Sequence, residues 1–308
     1  MVEQGCLASL DGLIWLRTGH QVALKFKQHQ SNISRNSRKC ANIFGISLKR
    51  QAAEWHVIGD QRLLTLERRV HQHVRFQTGK DLRLDAQHWS GPQLLTPAPT
   101  GWILGNLNFL EYQRPEQLLR ERIIDAWLAS YPDTPDQDPD LATIRLSKMP
   151  MHLVVPATHP LLELGDAVTF ADVDRYPLLP LPEKAFPKFQ GILQAIGLDP
   201  HSSRSKRIAT ANSANQRRIE DFMVGFASPQ TLPLFGEDMR ILPLKLPVEV
   251  GDALVVRREF SEFPQIQGLI DLLRTRLQER AKTTPNLWVL EGVRDEAGLP
   301  ALGNLSPV

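Results

Sequence analysis

The sequence has very little cysteine and no long hydrophobic run. Its 308 residues include two cysteines, Cys6 and Cys40, which are too few for a disulfide framework or a cysteine-based zinc site. It shows no basic start followed by an apolar segment, and no apolar run is long enough to span a bilayer. These features argue against a disulfide-stabilised secreted protein and a helical membrane protein. We expect a soluble, cytoplasmic protein with no membrane partner.

Acidic residues are missing from one stretch of the chain. None lies between Asp11 and Glu54, while eight basic residues do. Residues 1–80 contain 13 Lys and Arg against 5 Asp and Glu, a net charge of +8, whereas residues 81–308 contain 23 against 29, a net charge of −6. A basic N-terminal part and an acidic remainder fit the two domains that this length suggests, and they indicate contact with a polyanion.

Apolar periodicity in the basic part predicts three helices. The first occupies residues 7–16 and ends at Thr18-Gly19, and a short second helix over 22–26 is followed by a turn at His29-Gln30. The third helix has an apolar stripe at spacings of four, three and four: Ile33, Ser37, Cys40 and Phe44. Two short helices joined by a tight turn predict a helix-turn-helix.

The other face of the third helix carries amide, hydroxyl and basic groups and no acid: Ser31, Asn32, Arg35, Asn36, Arg38, Lys39 and Asn42. Arg can bind guanine through two hydrogen bonds, Asn can bind adenine in the same way, and Ser or Lys can hold phosphates. The first turn of such a helix reaches the base edges of DNA. The expected base readers are Gln30, Ser31, Asn32, Ser34 and Arg35. The alternative is an ordinary solvated helix face, and the acid-free stretch from Gly12 to Ala53 argues against it.

A further amphipathic helix is predicted by an apolar seam at spacings of three, four and four: Leu63, Leu66, Val70 and Val74. The seam can pack on its own domain or pair with a second copy of the helix. We favour pairing, because two helix-turn-helix units bind more base pairs than one. Thr78-Gly79-Lys80 ends this helix.

From Leu82 onward, short apolar runs alternate with amphipathic segments. Runs typical of strands occupy 82–84, 126–128, 152–155, 176–179 and 252–257, and helical periodicity appears at 117–124, 189–196 and 266–280. This alternation predicts an α/β architecture. The tail from Ala281 shows little periodicity apart from 287–290, and we expect little other fixed structure there.

The sequence lacks recognisable catalytic and metal-binding motifs. It has no Gly-x-Gly-x-x-Gly and no Gly-x-x-x-x-Gly-Lys-Ser/Thr loop. His71 and His73 lie two apart on a predicted helix and therefore point to different faces. The acidic segment 133–140 lies among prolines without the central Gly and distal Glu of a calcium loop, so we expect a solvated loop there. We expect no enzyme activity, no cofactor and no metal.

The N-terminal part resembles the LysR-type transcriptional regulators, whose recognition helix carries a Ser/His-Gln-Ser-x-(Val/Ile)-Ser-Arg motif. Here the motif is His29-Gln30-Ser31-Asn32-Ile33-Ser34-Arg35, followed by Arg38-Lys39. The sequence departs from the family pattern at Val22-Ala23, at Cys40-Ala41 and around Leu48-Lys49-Arg50-Gln51, before the wing. The resemblance assigns DNA contacts to Gln30, Ser31, Asn32, Ser34, Arg35 and Arg38, and Lys39, on the same outer face, is also expected to contact DNA.

The resemblance continues in order over residues 5–280. Family motifs correspond to 153–156, His159-Pro160-Leu161, 168–173 and 224–229. It implies a body of two α/β lobes like the periplasmic binding proteins, joined by strands that cross near Met149–Pro156 and Ala253–Arg257. A small-molecule effector is expected between the lobes, where binding sites commonly form.

The implied effector-binding residues are His88, Trp89, Ser90, Glu183, Thr210, Asn212 and Ser213. Their Ser, Thr, Asn and His side chains could hold an anion. The alternative is that they are ordinary loop-capping residues.

These expectations describe an α/β protein with a winged helix-turn-helix head (1–62), a linker and dimerisation helix (63–80), an effector-binding body (81–280) and a tail (281–308). Within the body, lobe I comprises 81–150 and 254–280, and lobe II comprises 151–253. The predicted function is that of an effector-controlled transcriptional regulator that binds double-stranded DNA as a homodimer or homotetramer. The alternative is a solute-binding or enzymatic α/β protein whose basic head binds nucleic acid without sequence specificity.

Overall fold

The computed structural model describes residues 2–110, 113–182, 185–201 and 222–291. Its helices are α1 (Gln4–Leu16), α2 (Gly19–Lys25), α3 (Gln30–Phe44), α4 (Arg62–Thr78), α5 (Gly91–Leu94), α6 (Gln113–Arg120), α7 (Phe170–Val173), α8 (Pro187–Ala195) and α9 (Pro264–Ala281). Its strands are β1 (Ser47–Gln51), β2 (Glu54–Ile58), β3 (Leu82–Ala86), β4 (Trp102–Leu104), β5 (Ala126–Tyr131), β6 (Leu141–Arg145), β7 (Ser147–Pro156), β8 (Gly225–Ala227), β9 (Met239–Arg257) and β10 (Trp288–Val289). In these described ranges, no helix combines the length and the apolar character that crossing a bilayer requires.

The head is a winged helix-turn-helix, as predicted. Arg17 ends α1 in a left-handed conformation, and Thr18 caps α2 by accepting a hydrogen bond from the Gln21 amide at 3.2 Å. Thr18, which was expected to end the first helix, is therefore the N-cap of the second. His29 is the cap of α3, and Gln30 is already helical. The apolar stripe of α3 is buried at Ile33, Ser37 and Cys40, while Phe44 is half-buried.

The wing is a two-stranded antiparallel hairpin. Gln51 of β1 pairs with Glu54 of β2, and the two residues between them, Ala52 and Ala53, both have positive φ values of 47° and 68°. Two-residue turns of this kind match the twist of a hairpin. The segment around Lys49 thus forms a wing although its sequence departs from the family pattern.

The linker helix α4 turns its apolar seam outward. Leu63 is 64% exposed, Leu66 60%, Val70 44% and Val74 36%. The face that packs on the rest of the chain is largely polar: Leu64, Arg68, His71, Gln72, Arg75 and Phe76. Of the two alternatives for the seam, packing within its own chain is therefore wrong.

The body has two lobes that share one long strand. In lobe I, β4, β3 and β5 run parallel, and the C-terminal part of β9 pairs antiparallel with β5 and β6. In lobe II, the N-terminal part of β9 pairs with β7, which also pairs with β8. β9 exchanges partners at Val250 and Gly251, where a Cβ on Gly251 would lie 2.1 Å from the Ser147 carbonyl oxygen. Glycine is therefore required where the two strands cross.

Two body segments differ from the sequence-based expectation. α6 lies four residues earlier than predicted and ends before Arg122, whose φ of 61° is incompatible with a continuing helix. Ile123 and Ile124 are buried after the helix, which explains the misleading apolar signal. Segment 176–179 forms only an isolated bridge, between Leu178 and Val224.

In the tail, β10 pairs with the start of β7.

The head packs directly on lobe I. Apolar side chains of α1, including Leu10 and Ile14, belong to the same buried cluster as Leu118, Ile124 and Trp127 of the body. Trp15 belongs to this cluster as well, and its indole N–H donates to the Asp85 carboxylate of β3 at 2.6 Å. The head and lobe I therefore share one core within the described residues.

A buried ion network reinforces this packing. The Asp11 carboxylate of α1 accepts from Arg68 Nε of α4 at 2.8 Å and from Arg83 Nη1 of β3 at 3.2 Å. Asp125 accepts two hydrogen bonds from Arg75 and one from Gln72. Burial lowers the pKa of Arg83 to about 10, so that it remains a cation at neutral pH. Head, linker helix and lobe I thus depend on one another for charge compensation.

Asp11→Asn is expected to lower the free energy of unfolding by about 3–5 kcal/mol, because Arg68 and Arg83 would lose the carboxylate that they share in the interior. Urea unfolding followed by fluorescence would measure the change. Asp60→Asn is the matched control, since Asp60 pairs with Arg62 on the surface, and its unfolding midpoint should not move. An Asp11→Asn midpoint equal to that of the control would contradict the role given to this network.

Candidate functional site

The first candidate site is the outer face of α3. Of the seven predicted DNA-contacting residues, Asn32 is half-buried. The other six are exposed on this face: Gln30, Ser31, Ser34, Arg35, Arg38 and Lys39. The Arg35 guanidinium donates to the Asn32 amide oxygen at 2.9 Å, which holds these two side chains side by side. Lys39 lies 3.3 Å from the Glu3 carboxylate in an exposed pair.

A groove separates α3 from the wing. Gln30, Ser34 and Arg38 line one side of it, and Leu48 and Trp55 line the other. The α3 face and the wing thus enclose a concave surface with hydroxyl, amide and guanidinium groups. Such a surface can contact both the backbone and the base edges of a nucleic acid.

The two acids that bound the acid-free stretch are both used away from α3. Asp11 is buried against Arg68 and Arg83, and Glu54 pairs with Arg17 at 2.6 Å and with Arg114 at 3.1 Å. Both carboxylates therefore form ion pairs away from α3 when the head packs on lobe I, and neither reduces the positive charge of the α3 face.

The second candidate site is a cavity of about 350 Å³ between the lobes. Residues from the ends of β3 and β5, from both crossing strands and from lobe II surround it. Its apolar wall consists mainly of Trp89, Tyr131, Met149, Met151, Leu181, Phe186, Phe189, Phe226, Leu234, Phe235 and Val250. Position and shape are those of a small-molecule binding site.

Asp133 joins the two lobes at the edge of this cavity. Its carboxylate, which lies after β5 in lobe I, accepts from the Lys188 amide at 2.7 Å and the Phe189 amide at 3.3 Å, at the start of α8 in lobe II. Burial raises the pKa of Asp133 to about 6, and the two amides oppose this rise. Lys188 Nζ also reaches back to Asp136, at 2.6 Å.

A second carboxylate lies at the strand crossing. Asp252 accepts from Ser147 Oγ at 2.9 Å and from Gln230 Nε2 at 3.3 Å, and burial raises its pKa. Ser147 belongs to β7 and Asp252 to β9, so this bond ties the crossing strands together. Both carboxylates line the cavity.

The structure brings only some of the predicted effector-binding residues to the cavity. His88 and Trp89 line it, and Trp89 Nε1 donates to Ser130 Oγ at 2.9 Å. Ser90 is buried and does not belong to the lining. Glu183, Thr210, Asn212 and Ser213 lie outside the described residues.

Sequence reasoning missed the residues that follow β5 and those at the strand crossing. The solvated loop expected for segment 133–140 is wrong at Asp133, which is 2% exposed. A usable signal existed, because β5 runs parallel to β3 and ligands gather at the carboxyl ends of parallel strands. Gln230, which follows β8, and Asp252, at the strand crossing, gave no such signal.

The histidine pair behaves as expected on α4. His71 is buried against Glu67 at 3.2 Å, while the side chain of His73 is 42% exposed. Over the described ranges, no cluster of three His, Cys, Asp or Glu side chains could hold a metal ion.

Comparison with known proteins identifies the family. The model of the LysR substrate binding domain matches residues 106–278. Full-length OxyR C199D from Pseudomonas aeruginosa shares 17% identity, with 89% of this chain and 95% of that chain covered and a TM-score of 0.56. The OxyR C206 mutant of Corynebacterium glutamicum shares 14% identity, with 92% and 94% covered and a TM-score of 0.50. Comparison with curated protein sequences gives no match.

The two solved structures show the shared fold, in which a winged helix-turn-helix precedes a two-lobed α/β body. The family model covers more than half of the sequence. The chain belongs to the LysR family of transcriptional regulators.

Asp133→Asn is expected to change how stability depends on pH. Burial raises the pKa of Asp133 from 3.8 to about 6, so folding takes up a proton between these values and the free energy of unfolding falls as pH rises through them. Asn does not titrate. Between pH ~4 and ~6.5 the free energy of unfolding of the wild type should therefore fall by roughly 2–3 kcal/mol relative to that of the variant. Urea unfolding at several pH values would measure it. The pKa of Asp85 is also raised to about 6, but Asp85 is present in both proteins, so its contribution cancels in the difference between their free energies of unfolding. A difference that is independent of pH would contradict the raised pKa.

Proposed function

We propose that this LysR-family regulator binds duplex DNA through α3 and that a small molecule in the interlobe cavity controls this binding. The observation that carries the first part is the exposed outer face of α3, which has no acidic residue of its own and remains uncovered although the head is packed on lobe I. Its Lys39 forms an exposed pair with Glu3, which solvent and salt weaken. The helix follows a capped second helix and precedes a wing, which is the arrangement that places a recognition helix in a major groove.

Gln30, Ser31, Asn32, Ser34 and Arg35 occupy the first turns of α3 and are the proposed base readers. Arg38 and Lys39 lie one turn further on and are the proposed phosphate contacts. The Asn32–Arg35 hydrogen bond supports the assignment, because it places an amide and a guanidinium side by side at the start of the helix, and both groups can form bidentate pairs with purine edges.

The outward seam of α4 supports a dimer. Four apolar side chains at coiled-coil spacing are 36–64% exposed, and the opposite face is held by the buried ion network. We propose that a second copy of α4 covers this seam. A homodimer, or a homotetramer built from it, would present two recognition helices to one DNA site.

The cavity supports effector control. Its wall includes residues of both lobes and of both crossing strands, so a ligand there favours one relative position of the lobes over another. The head is packed on lobe I through the shared core. A ligand that changes the relative position of the two lobes would therefore also change the position of the head relative to lobe II. We propose a regulatory role in the cytoplasm, with no catalytic reaction.

Arg35→Ala tests the role of α3. Fragments bound by the wild type would first be selected from random duplex DNA. The variant's preference for a selected fragment over random DNA should fall about 5- to 150-fold, because a bidentate base contact is worth ~1–3 kcal/mol. Fluorescence anisotropy at fixed salt concentration would measure both affinities.

Arg175→Ala, which removes an exposed arginine of lobe II, is the matched control and should leave both affinities unchanged. An equal loss for all sequences in Arg35→Ala would make Arg35 a phosphate contact. A wild type with no sequence preference would favour the non-specific nucleic-acid-binding alternative instead.

Val70→Glu tests the dimer. A charge in the seam should convert the protein to a monomer at micromolar concentration, because a carboxylate would be buried in an apolar interface without a partner. Light scattering would measure the mass. Thr65→Glu adds the same charge at an exposed position of α4 outside the seam and should leave the assembly intact. A wild type that is monomeric at micromolar concentration would refute the proposal.

A further inference from the structure

The interlobe cavity has an apolar, aromatic interior. Trp89 and Phe186 contribute rings whose centroids lie 5.5 Å apart, and Phe189 and Phe226 form an edge-to-face pair at the same distance. Met149 and Met151 complete this wall with flexible thioethers. A wall of rings and thioethers favours a ligand with a ring or a compact hydrocarbon part.

The charged groups that the cavity offers are acidic. Asp133 and Asp252 line it, and no Lys or Arg occurs among the lining residues in the described part of the chain. Both carboxylates are almost fully buried, at 2% and 1% exposure. Above about pH 6, where Asp133 is ionised, a ligand carboxylate or phosphate would therefore approach a like charge in a poorly solvated site, which is unfavourable.

The start of α8 offers no compensation to an anion. A helix N-terminus ordinarily attracts negative charge, but here the Asp133 carboxylate already accepts from the Lys188 and Phe189 amides. The protein's own carboxylate occupies the place that a ligand anion would need.

The polar part of the wall has spare hydrogen-bond acceptors. Asp252 accepts from Ser147 and Gln230 and also has the Ser90 hydroxyl as a hydrogen-bond partner, and Asp133 accepts from two amides, but a carboxylate can accept about four hydrogen bonds. A ligand that fits this wall must bring donors. An amine or a hydroxyl does so, and an ionised acid does not.

We propose that the effector of this protein is an apolar, ring-bearing molecule whose polar end donates hydrogen bonds and carries no negative charge. This assignment rests on the proposed use of the cavity as the effector site. It differs from the expectation that Ser, Thr, Asn and His side chains around the cleft hold an anion.

Three probes with one skeleton test the proposal on the full chain: 4-phenylbutylamine, 4-phenylbutan-1-ol and 4-phenylbutyrate. Isothermal titration in the absence of DNA, at a pH above the pKa of about 6 of Asp133, should show the amine and the alcohol binding at least roughly ten-fold more tightly than the butyrate, because only the butyrate brings a like charge to the Asp133 carboxylate. Butyrate binding as tightly as the other two would overturn the proposal, as would the failure of all three to bind.

Two variants locate the binding. Asp133→Asn and Asp252→Asn each remove one carboxylate with little change of shape, and each should weaken the amine. Asp133→Asn should also strengthen the butyrate, and the alcohol should change less than either. Asp166→Asn, on the exposed surface of lobe II, is the control and should change none of the three. An amine affinity unchanged in both cavity variants would place the amine elsewhere and overturn the proposal. Because no DNA is present, these outcomes are independent of the Arg35→Ala test.

Discussion

The buried carboxylate of Asp11 holds three parts of the chain together. It lies on the first helix of the head and compensates Arg68 of the linker helix and Arg83 of lobe I. Two guanidinium groups in the interior require such a counter-charge, because an unpaired buried cation is strongly unfavourable. The position of the head on the body, and with it the direction of α3, depends on this interaction and on the apolar core around it.

The same network determines which face of α4 is free. The polar face, with Arg68, Gln72 and Arg75, must meet Asp11 and Asp125, so the apolar seam is turned to the outside. This reverses the usual arrangement, in which a helix buries its apolar stripe. The seam is then available to a second copy, while the head and lobe I remain one unit within each copy.

The head was predictable from the sequence to within a few residues, whereas the cavity was only partly so. Helix periodicity is local, and the stripe Ile33, Ser37 and Cys40 contains the information that positions α3. The cavity wall joins Trp89, Asp133, Phe226 and Asp252, which are far apart in sequence and meet only because β9 runs through both lobes. Asp133 was misjudged for this reason, since its partners at the start of α8 belong to the other lobe.

The sequence by itself determined the helix-turn-helix, the α/β class of the body and the basic character of the stretch between Asp11 and Glu54, because these depend on local spacing and charge. The tertiary structure decided what the two bounding acids do. Both pair with arginines of the body or linker helix, Asp11 in the interior and Glu54 at the base of the wing. It also decided that the interlobe cavity carries carboxylates. Charge compensation between distant segments depends on distances that only the folded chain sets.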